Sequence, residues 1–369
     1  MKALAVFPQQ RTLKMVDAPE PGPLAPGQVR VRTHEVGICG TDKEIASFLY
    51  GTPPRGSDFL IMGHECLGEV LEAGAGVQGF AKGDLVVPRV RRPCPHTGCL
   101  PCRQGRSDYC VTGDYTERGI AGAHGFACEQ WVEDAQYLHK VERTLRPVGV
   151  LTEPLTIAEK ALLTVDTVQA RLPGPRDMRS GRRALVLGSG PVGLLGAMAL
   201  LRAGYSVHVY ARTPAPNPKA EAASRVGARY LSSQEVPASQ LPARAGPLDL
   251  VYEAAGASST AFEVLKVLGP NGVFVFTGVP GRKEPLKLAG AELMRGLVMK
   301  NQLALGTVNA GPDAFAAAVA DLGRFEARWP GELAKLITHR HRPEEAPELL
   351  RKGLGGGIKH VLTFTEAGR

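Results

Sequence analysis

Arg183-Ala184-Leu185-Val186-Leu187 is an apolar run behind one arginine, and it leads directly into Gly188-Ser189-Gly190-Pro191-Val192-Gly193. A run this short, closed by glycine, reads as a buried strand, and the apolar stretch from Val192 to about Arg202 reads as the helix after it. G-x-G-x-x-G alone is a weak signal. Between a strand and a helix it becomes a dinucleotide fingerprint, because the glycines permit the tight turn and bring the pyrophosphate up to the helix N-terminus. A second strand, Ser206 to Tyr210, follows at the right distance. Gly188, Ser189, Gly190, Pro191, Val192 and Gly193 are therefore expected to hold a nicotinamide cofactor.

The same rhythm continues downstream. A helix is expected from Pro218 to Val226, strands at Arg229 to Leu231 and Leu248 to Glu253, a helix from Thr260 to Leu268, and strands at Gly272 to Gly278 and Leu303 to Asn309. Such alternation is a doubly wound parallel sheet, with ligands bound beyond the carboxyl ends of its strands. Gly278 and Asn309 stand at two of those ends and join the candidate cofactor contacts. An NAD-specific site carries an acid after the second strand, but here the chain reads Ala211-Arg212-Thr213. Arg212 suits a 2′-phosphate and Thr213 adds a hydroxyl, so NADP is favoured over NAD. After Asn309 come helical segments (Asp313 to Arg324, Pro343 to Lys352) and a last strand, His360 to Phe364.

The N-terminal half has another character. Short alternating runs, such as Ala3 to Phe7 and Gln28 to Arg32, are separated by Pro and Gly and suit a small β-barrel. Within it, Gly37-Ile38-Cys39-Gly40-Thr41-Asp42 and Gly63-His64-Glu65 bring a thiolate, an imidazole and a carboxylate into glycine-flanked turns. That mixed donor set suits zinc with one position open to substrate. Thr41, two residues past the thiolate, is placed to pass a proton, and Asp42 to hold the second nitrogen of His64. Cys94, Cys99, Cys102 and Cys110 then lie in a loop rich in Gly, Pro and Arg, the pattern of a closed structural zinc site. Cys66 and Cys128, in apolar surroundings, read as core, and His124 as a turn residue.

A length of 369 residues allows about two domains. With 44% hydrophobic and 22% charged residues, the composition is that of a soluble globular protein. No apolar run is long enough to span a bilayer and no signal peptide is legible, so a cytoplasmic location is expected. The net charge of +8 raises the question of nucleic acid, yet the densest basic cluster, Arg89 to Arg92, has no interleaved aromatics. The charge is read as a solvated surface favouring anionic small molecules, without nucleic-acid or membrane partners.

Gly-Ile-Cys-Gly-Thr-Asp followed by Gly-His-Glu, with the four cysteines and the glycine fingerprint in this order, resembles the zinc-dependent medium-chain alcohol and polyol dehydrogenases across essentially the whole chain. The resemblance implies an α/β protein: a chaperonin-10-like β-barrel catalytic domain over residues 1–170, rejoined by 310–369, and a Rossmann domain over 171–309. A Pro- and Gly-rich linker, Arg171 to Arg183, joins them. In the family, the residue matching Glu153 faces the catalytic metal, as a ligand or through its water; whether Glu65 or Glu153 is the third ligand stays open. The family spaces its first two lobe cysteines two residues apart. Here four residues intervene, His96 among them, so Cys94 or His96 supplies the first ligand, and Cys94 is taken.

Within the family, Cys39 to Ile45, Thr116-Glu117-Arg118-Gly119-Ile120, Glu153-Pro154-Leu155 and Val308-Asn309 are most similar to the archaeal-type glucose 1-dehydrogenase branch. There, residues matching Glu117, Glu153 and Asn309 bind sugar hydroxyls. The resemblance implies oxidation of an aldose, glucose above all, at C1 to the lactone, with Thr41 carrying the proton away. Polyol, alcohol or threonine oxidation are the alternatives in kind. A non-catalytic NADPH-binding protein is the alternative of another class, and intact Cys39, Thr41, His64 and Glu65 argue against it. A homo-oligomer, dimer or tetramer, is expected by analogy.

Overall fold

The protein was analysed as a computed structural model that describes residues 1–173, 181–281 and 285–365. Most of the expected linker, residues 174–180, lies outside the described residues. The described chain divides into two compact units. One comprises Met1–Thr156, Asn309–Arg324 and Ile337–Arg369; the other comprises Ile157–Val308 and Phe325–Leu336.

In the first unit, the long strand Gln28–Ile38 pairs on one side with Glu65–Ala73 and on the other with the C-terminal strand Lys359–Thr363. Its early residues alternate in burial and its later ones, from Thr33 onward, are buried throughout. That change marks where the strand passes from sheet surface into the interior. Leu85–Pro88 and Leu138–Val141 extend the sheet beyond Glu65–Ala73. The core beneath it gathers Val31, Val36, Ile45, Phe126, Trp131 and Leu362. Cys66 and Cys128 are buried here as expected.

The second unit holds a six-stranded parallel sheet. In space its strands run Arg229–Ser232, Ser206–Ala211, Arg183–Leu187, Leu248–Glu253, Leu268–Phe276, Leu303–Gly306. Order reverses beside Arg183–Leu187, the strand that feeds the glycine loop, and this is the switch point where doubly wound sheets bind ligands. Leu185, Leu187, Val251, Val264 and Phe274 form a core on this sheet.

Two details differ from the expected organisation. The division between units falls after Thr156, inside the helix Thr152–Gln169, rather than at 170/171, and residues 325–336 group with the second unit. An 18-residue helix is one hydrogen-bonded rod, and composition carries no mark where its packing partners change. Ile337–His341 is a strand that the sequence hides. Its residues Thr338-His339-Arg340 are exposed at the sheet edge, so no alternation betrays it.

Candidate active site

Ile38 ends the long strand, and Cys39 caps the helix Gly40–Ala46 that follows. The Cys39 amide donates to Asp42 Oδ2 at 2.9 Å, which folds Asp42 back beneath the turn and buries it. Cys39 Sγ lies 3.2 Å from His64 Nε2. Cys39, His64 and Glu65 together present ligand atoms all within 4.8 Å of one another. A single ion about 2.3 Å from sulfur and about 2.0–2.1 Å from nitrogen spans a separation of this size.

The other ring nitrogen, His64 Nδ1, faces Asp42 Oδ1 at 3.6 Å. That is an electrostatic contact and exceeds hydrogen-bond length. Both atoms are buried without a hydrogen-bond partner among the described residues.

Electrostatics follow from burial. Burial raises the Cys39 thiol above its ordinary value, against the pull of His64. Burial by itself would lower His64, but Cys39 and Asp42 override it and hold the imidazole well above its usual range. The Glu153 carboxyl is pushed up to about 7, chiefly by burial, against the pull of His64. Glu65 is ion-paired with Lys359, and both are buried; Lys359 Nζ also donates to Ile38 O at 3.0 Å. Asp42, Glu65 and Glu153 thus face one lysine. Carboxylates outnumber the lysine in this pocket, and the thiol and imidazole lie beside them, so the donor set fits a divalent cation.

Lys359 was not legible as part of this site. Its trace in the sequence is a cation at the start of the strand Lys359–Thr363, 294 residues from its partner. Gly37 makes room for the pair, since a Cβ there would stand 2.0 Å from Glu65 Oε2 and 2.8 Å from Lys359 Cε.

Glu117 is buried rather than a surface residue, on a short strand paired with Arg91–Arg92. Its Oε1 accepts from Arg91 Nε at 3.1 Å, Arg91 Nη2 at 3.0 Å and Asn309 Nδ2 at 2.8 Å. Asn309 therefore groups with Glu117 in the first unit. Two residues on, Gly119 packs against the backbone of Gly63, next to His64; a Cβ there would meet Gly63 O at 2.3 Å. The basic cluster at 89–92 is not a solvated surface: Arg89 and Arg91 are buried, and Arg92 pairs with Glu133. Acceptors that fold in from remote segments, Glu117, Glu133 and the Gln136 carbonyl, bury these guanidinium groups. Thr41 is half-buried in the first turn of the helix after Cys39. His124 accepts a hydrogen bond from the Ile61 amide at 3.1 Å and stacks on Phe59.

Cys94, Cys99, Cys102 and Cys110 converge within 4.8 Å as a second cluster. His96 stands apart, exposed and bonded to Asp114 at 2.9 Å. Burial pushes Cys102 up to about 12. Cys110 is held down at about 6, where hydrogen bonds from Thr112 and Gly113 outweigh burial.

In the second unit, Gly190 caps the helix Pro191–Arg202, and the Gly188 amide donates to Tyr210 O at 2.9 Å. Gly193 tolerates no side chain, because its Cβ would stand 2.2 Å from Gly188 O. Ser189, Gly190, Pro191 and Val192 remain half-buried along this turn. Arg212 and Thr213 are exposed after the neighbouring strand, beside a turn fixed by Asn217 capping the next helix. Buried Glu253 accepts from the amides of Ala255 and Gly256 at 2.8 and 2.7 Å, and from Gly278 at 3.1 Å. The Gly278 amide thus serves the fold.

Residues 25–143 match the alcohol dehydrogenase GroES-like domain, and residues 146–364 match the glucose dehydrogenase C-terminus. The chain is 39% identical over 369 residues to the glucose 1-dehydrogenase of Methanocella arvoryzae, covering 100% of both chains. It is 44% identical over 340 residues to that of Thermoproteus tenax, covering 92% of both. The solved structure of Haloferax mediterranei glucose dehydrogenase in complex with NADP, Zn and gluconolactone superposes with a TM-score of 0.88, at 30% identity and full coverage of both chains. With a zinc-type donor set at Cys39 and His64, a four-thiol lobe and a glycine-loop parallel sheet, the chain belongs to the zinc-dependent medium-chain dehydrogenases, in their archaeal-type glucose dehydrogenase branch.

Proposed function

We propose that this chain oxidises an aldose, D-glucose above all, at C1 to the lactone, with NADP or NAD as hydride acceptor. The observation that carries the reading is the Cys39–His64 pair, half-buried thiol and buried imidazole 3.2 Å apart with Asp42, Glu65 and Glu153 about them, in the same unit as the Glu117–Asn309 pair. Cys39 and His64 would hold the catalytic zinc. Glu153 is the better third partner, because Lys359 already neutralises Glu65. When bound, zinc supplies Lewis acidity that lowers the pKa of a carbinol hydroxyl.

The protein's own groups do the rest. Thr41 takes the hydroxyl proton, Asp42 keeps the His64 ring oriented, and Glu117 and Asn309 hold the sugar's remaining hydroxyls. The glycine turn at 188–193 seats the pyrophosphate, and Arg212 with Thr213 meets a 2′-phosphate. Gly278, half-buried with its amide occupied by Glu253, would line the cofactor by its backbone. A second zinc in Cys94, Cys99, Cys102 and Cys110 would be structural.

Helix Gly290–Met299 has no buried residue, and Met294, Val298 and Met299 are 66–70% exposed. Beside it, Leu303–Gly306 is the outer strand of the parallel sheet. An apolar face next to an open strand supports a homo-oligomer joined there. Among the described residues no helix is long and apolar enough to cross a membrane, and all seven cysteines are free thiols, which supports a reducing compartment such as the cytoplasm.

The test is reduction of NADP and of NAD with glucose, xylose, sorbitol, ethanol and threonine, before and after chelation. Chelator-sensitive turnover of glucose is the expected result. Turnover of sorbitol or threonine alone would overturn the sugar assignment, and no turnover at all would favour a binding protein.

A further inference from the structure

Every hydrogen bond of the Glu117 carboxylate falls on one oxygen. Oε1 takes three donors, two from Arg91 and one from Asn309, and no donor reaches Oε2 among the described residues. Asn309 is likewise half spent. Its Oδ1 accepts from the Ala310 amide at 2.8 Å and one Nδ2 hydrogen goes to Glu117, so one Nδ2 hydrogen remains. Asn309 sits at φ 57°, a left-handed conformation that asparagine tolerates and that the Ala310 bond pins.

Arg91 is itself fixed from three sides. Its guanidinium lies 3.7 Å over the Tyr115 ring, its Nη1 reaches Asp108 O at 3.5 Å, and Ser107 Oγ donates to its carbonyl at 3.3 Å. The Arg91 and Glu117 side chains are 5% and 8% exposed. A planar fork stacked on a ring loses little further freedom when it holds a carboxylate.

We propose that Arg91 is a positioning residue for sugar recognition: it holds the buried Glu117 carboxylate turned so that Oε2, beside the remaining Nδ2 hydrogen of Asn309, receives a hydroxyl that both donates and accepts. The proposal rests on the sugar reading of this site. An acceptor and a donor side by side match one hydroxyl or a vicinal pair. They reject an anionic group, which Oε2 would repel, and an apolar chain, which would strand both atoms unpaired. Arg91 touches no substrate in this scheme. Its effect passes through Glu117, so it should move sugar binding and leave the hydride step alone.

The experiment uses the zinc-loaded enzyme and compares wild type, R91M and R91K with glucose and with its 2-, 3-, 4- and 6-deoxy analogues. In R91M the KM for glucose should rise about 10- to 100-fold, with kcat within about threefold and the KM for NADP unchanged. R91K should recover part of that loss. One deoxy analogue should be a poor substrate for wild type yet lose little more in R91M, because both changes remove the same contact. An R91M enzyme with unchanged KM for glucose, or with kcat and both KM values falling together, would overturn the proposal. If R91M does not fold, wild type alone decides: equal turnover of all four deoxy analogues would sink it. Failure of wild type on glucose would instead sink the sugar reading, and the two failures are thereby distinct.

Discussion

The two thiol-bearing clusters of this protein are built in opposite ways. The lobe draws four cysteines from 17 consecutive positions, 94 to 110, and half its ligand-bearing loop is exposed. The Cys39–His64 centre collects one thiol, one imidazole, three carboxylates and a lysine from segments as far apart as Cys39 and Lys359, and Asp42, His64, Glu65 and Lys359 among them are buried. In the lobe, the spacing of ligands specifies the site and an ion supplies the folding energy. In the centre, the fold specifies the site, and its charges are tolerable only because each faces another.

Chelation tests that contrast most forcefully. Removing metal should abolish turnover, and C39A should do so as well, by about a thousandfold or more, while far-UV circular dichroism stays native. Zinc content in C39A should fall from two per chain to one. If C39A unfolded the barrel, the centre would be structural and the comparison would break.

The reverse substitution, C102S, should release the other ion and lower stability by several kcal/mol, read as a fall in Tm, with zinc at Cys39 retained. A C102S enzyme as stable as wild type would show that the lobe folds without metal.

K359M removes the ion-pair partner of Glu65 and strands a buried carboxylate, at a cost of about 3–5 kcal/mol in denaturant unfolding. K359M/E65Q should recover most of it, since the double variant buries no unpaired charge. Equal losses in both would mean that Lys359 packs rather than neutralises.

The smallest effect lies at His139, stacked on Phe315 with ring centroids 5.2 Å apart. Burial, reinforced by Arg89, lowers its pKa from 6.5 to about 4. A folded-state pKa below the unfolded value means that the native state binds fewer protons between them. Its stabilising share is therefore present above pH 6.5 and lost as pH falls towards 4. H139F, which keeps the stack, should flatten that loss by on the order of 2 kcal/mol in urea titrations at pH 7 and pH 4.5.

How far the sequence could be read follows the same division. The glycine turn at 188–193, the four cysteines and the Cys39 and His64 turns each declare themselves within a few residues, because turn geometry and ligand spacing are local requirements. Arg91 and Lys359 did not. A charged residue in a chain looks solvated until its counter-ion is known, and Glu117 and Glu65 reach them only through the fold. The strand Ile337–His341 escaped for a related reason, as an exposed edge strand has no face to bury and so no alternation to show.

By itself, then, the amino-acid order determined the kinds of units, the dinucleotide turn and the types of metal-binding donors, all of which are matters of short-range periodicity and spacing. Tertiary structure alone decided which carboxylate is neutralised, which arginine is buried, and that Asn309 meets Glu117 across 192 positions. Charge burial is settled by pairs, and a pair is not defined until the chain has closed its long loops.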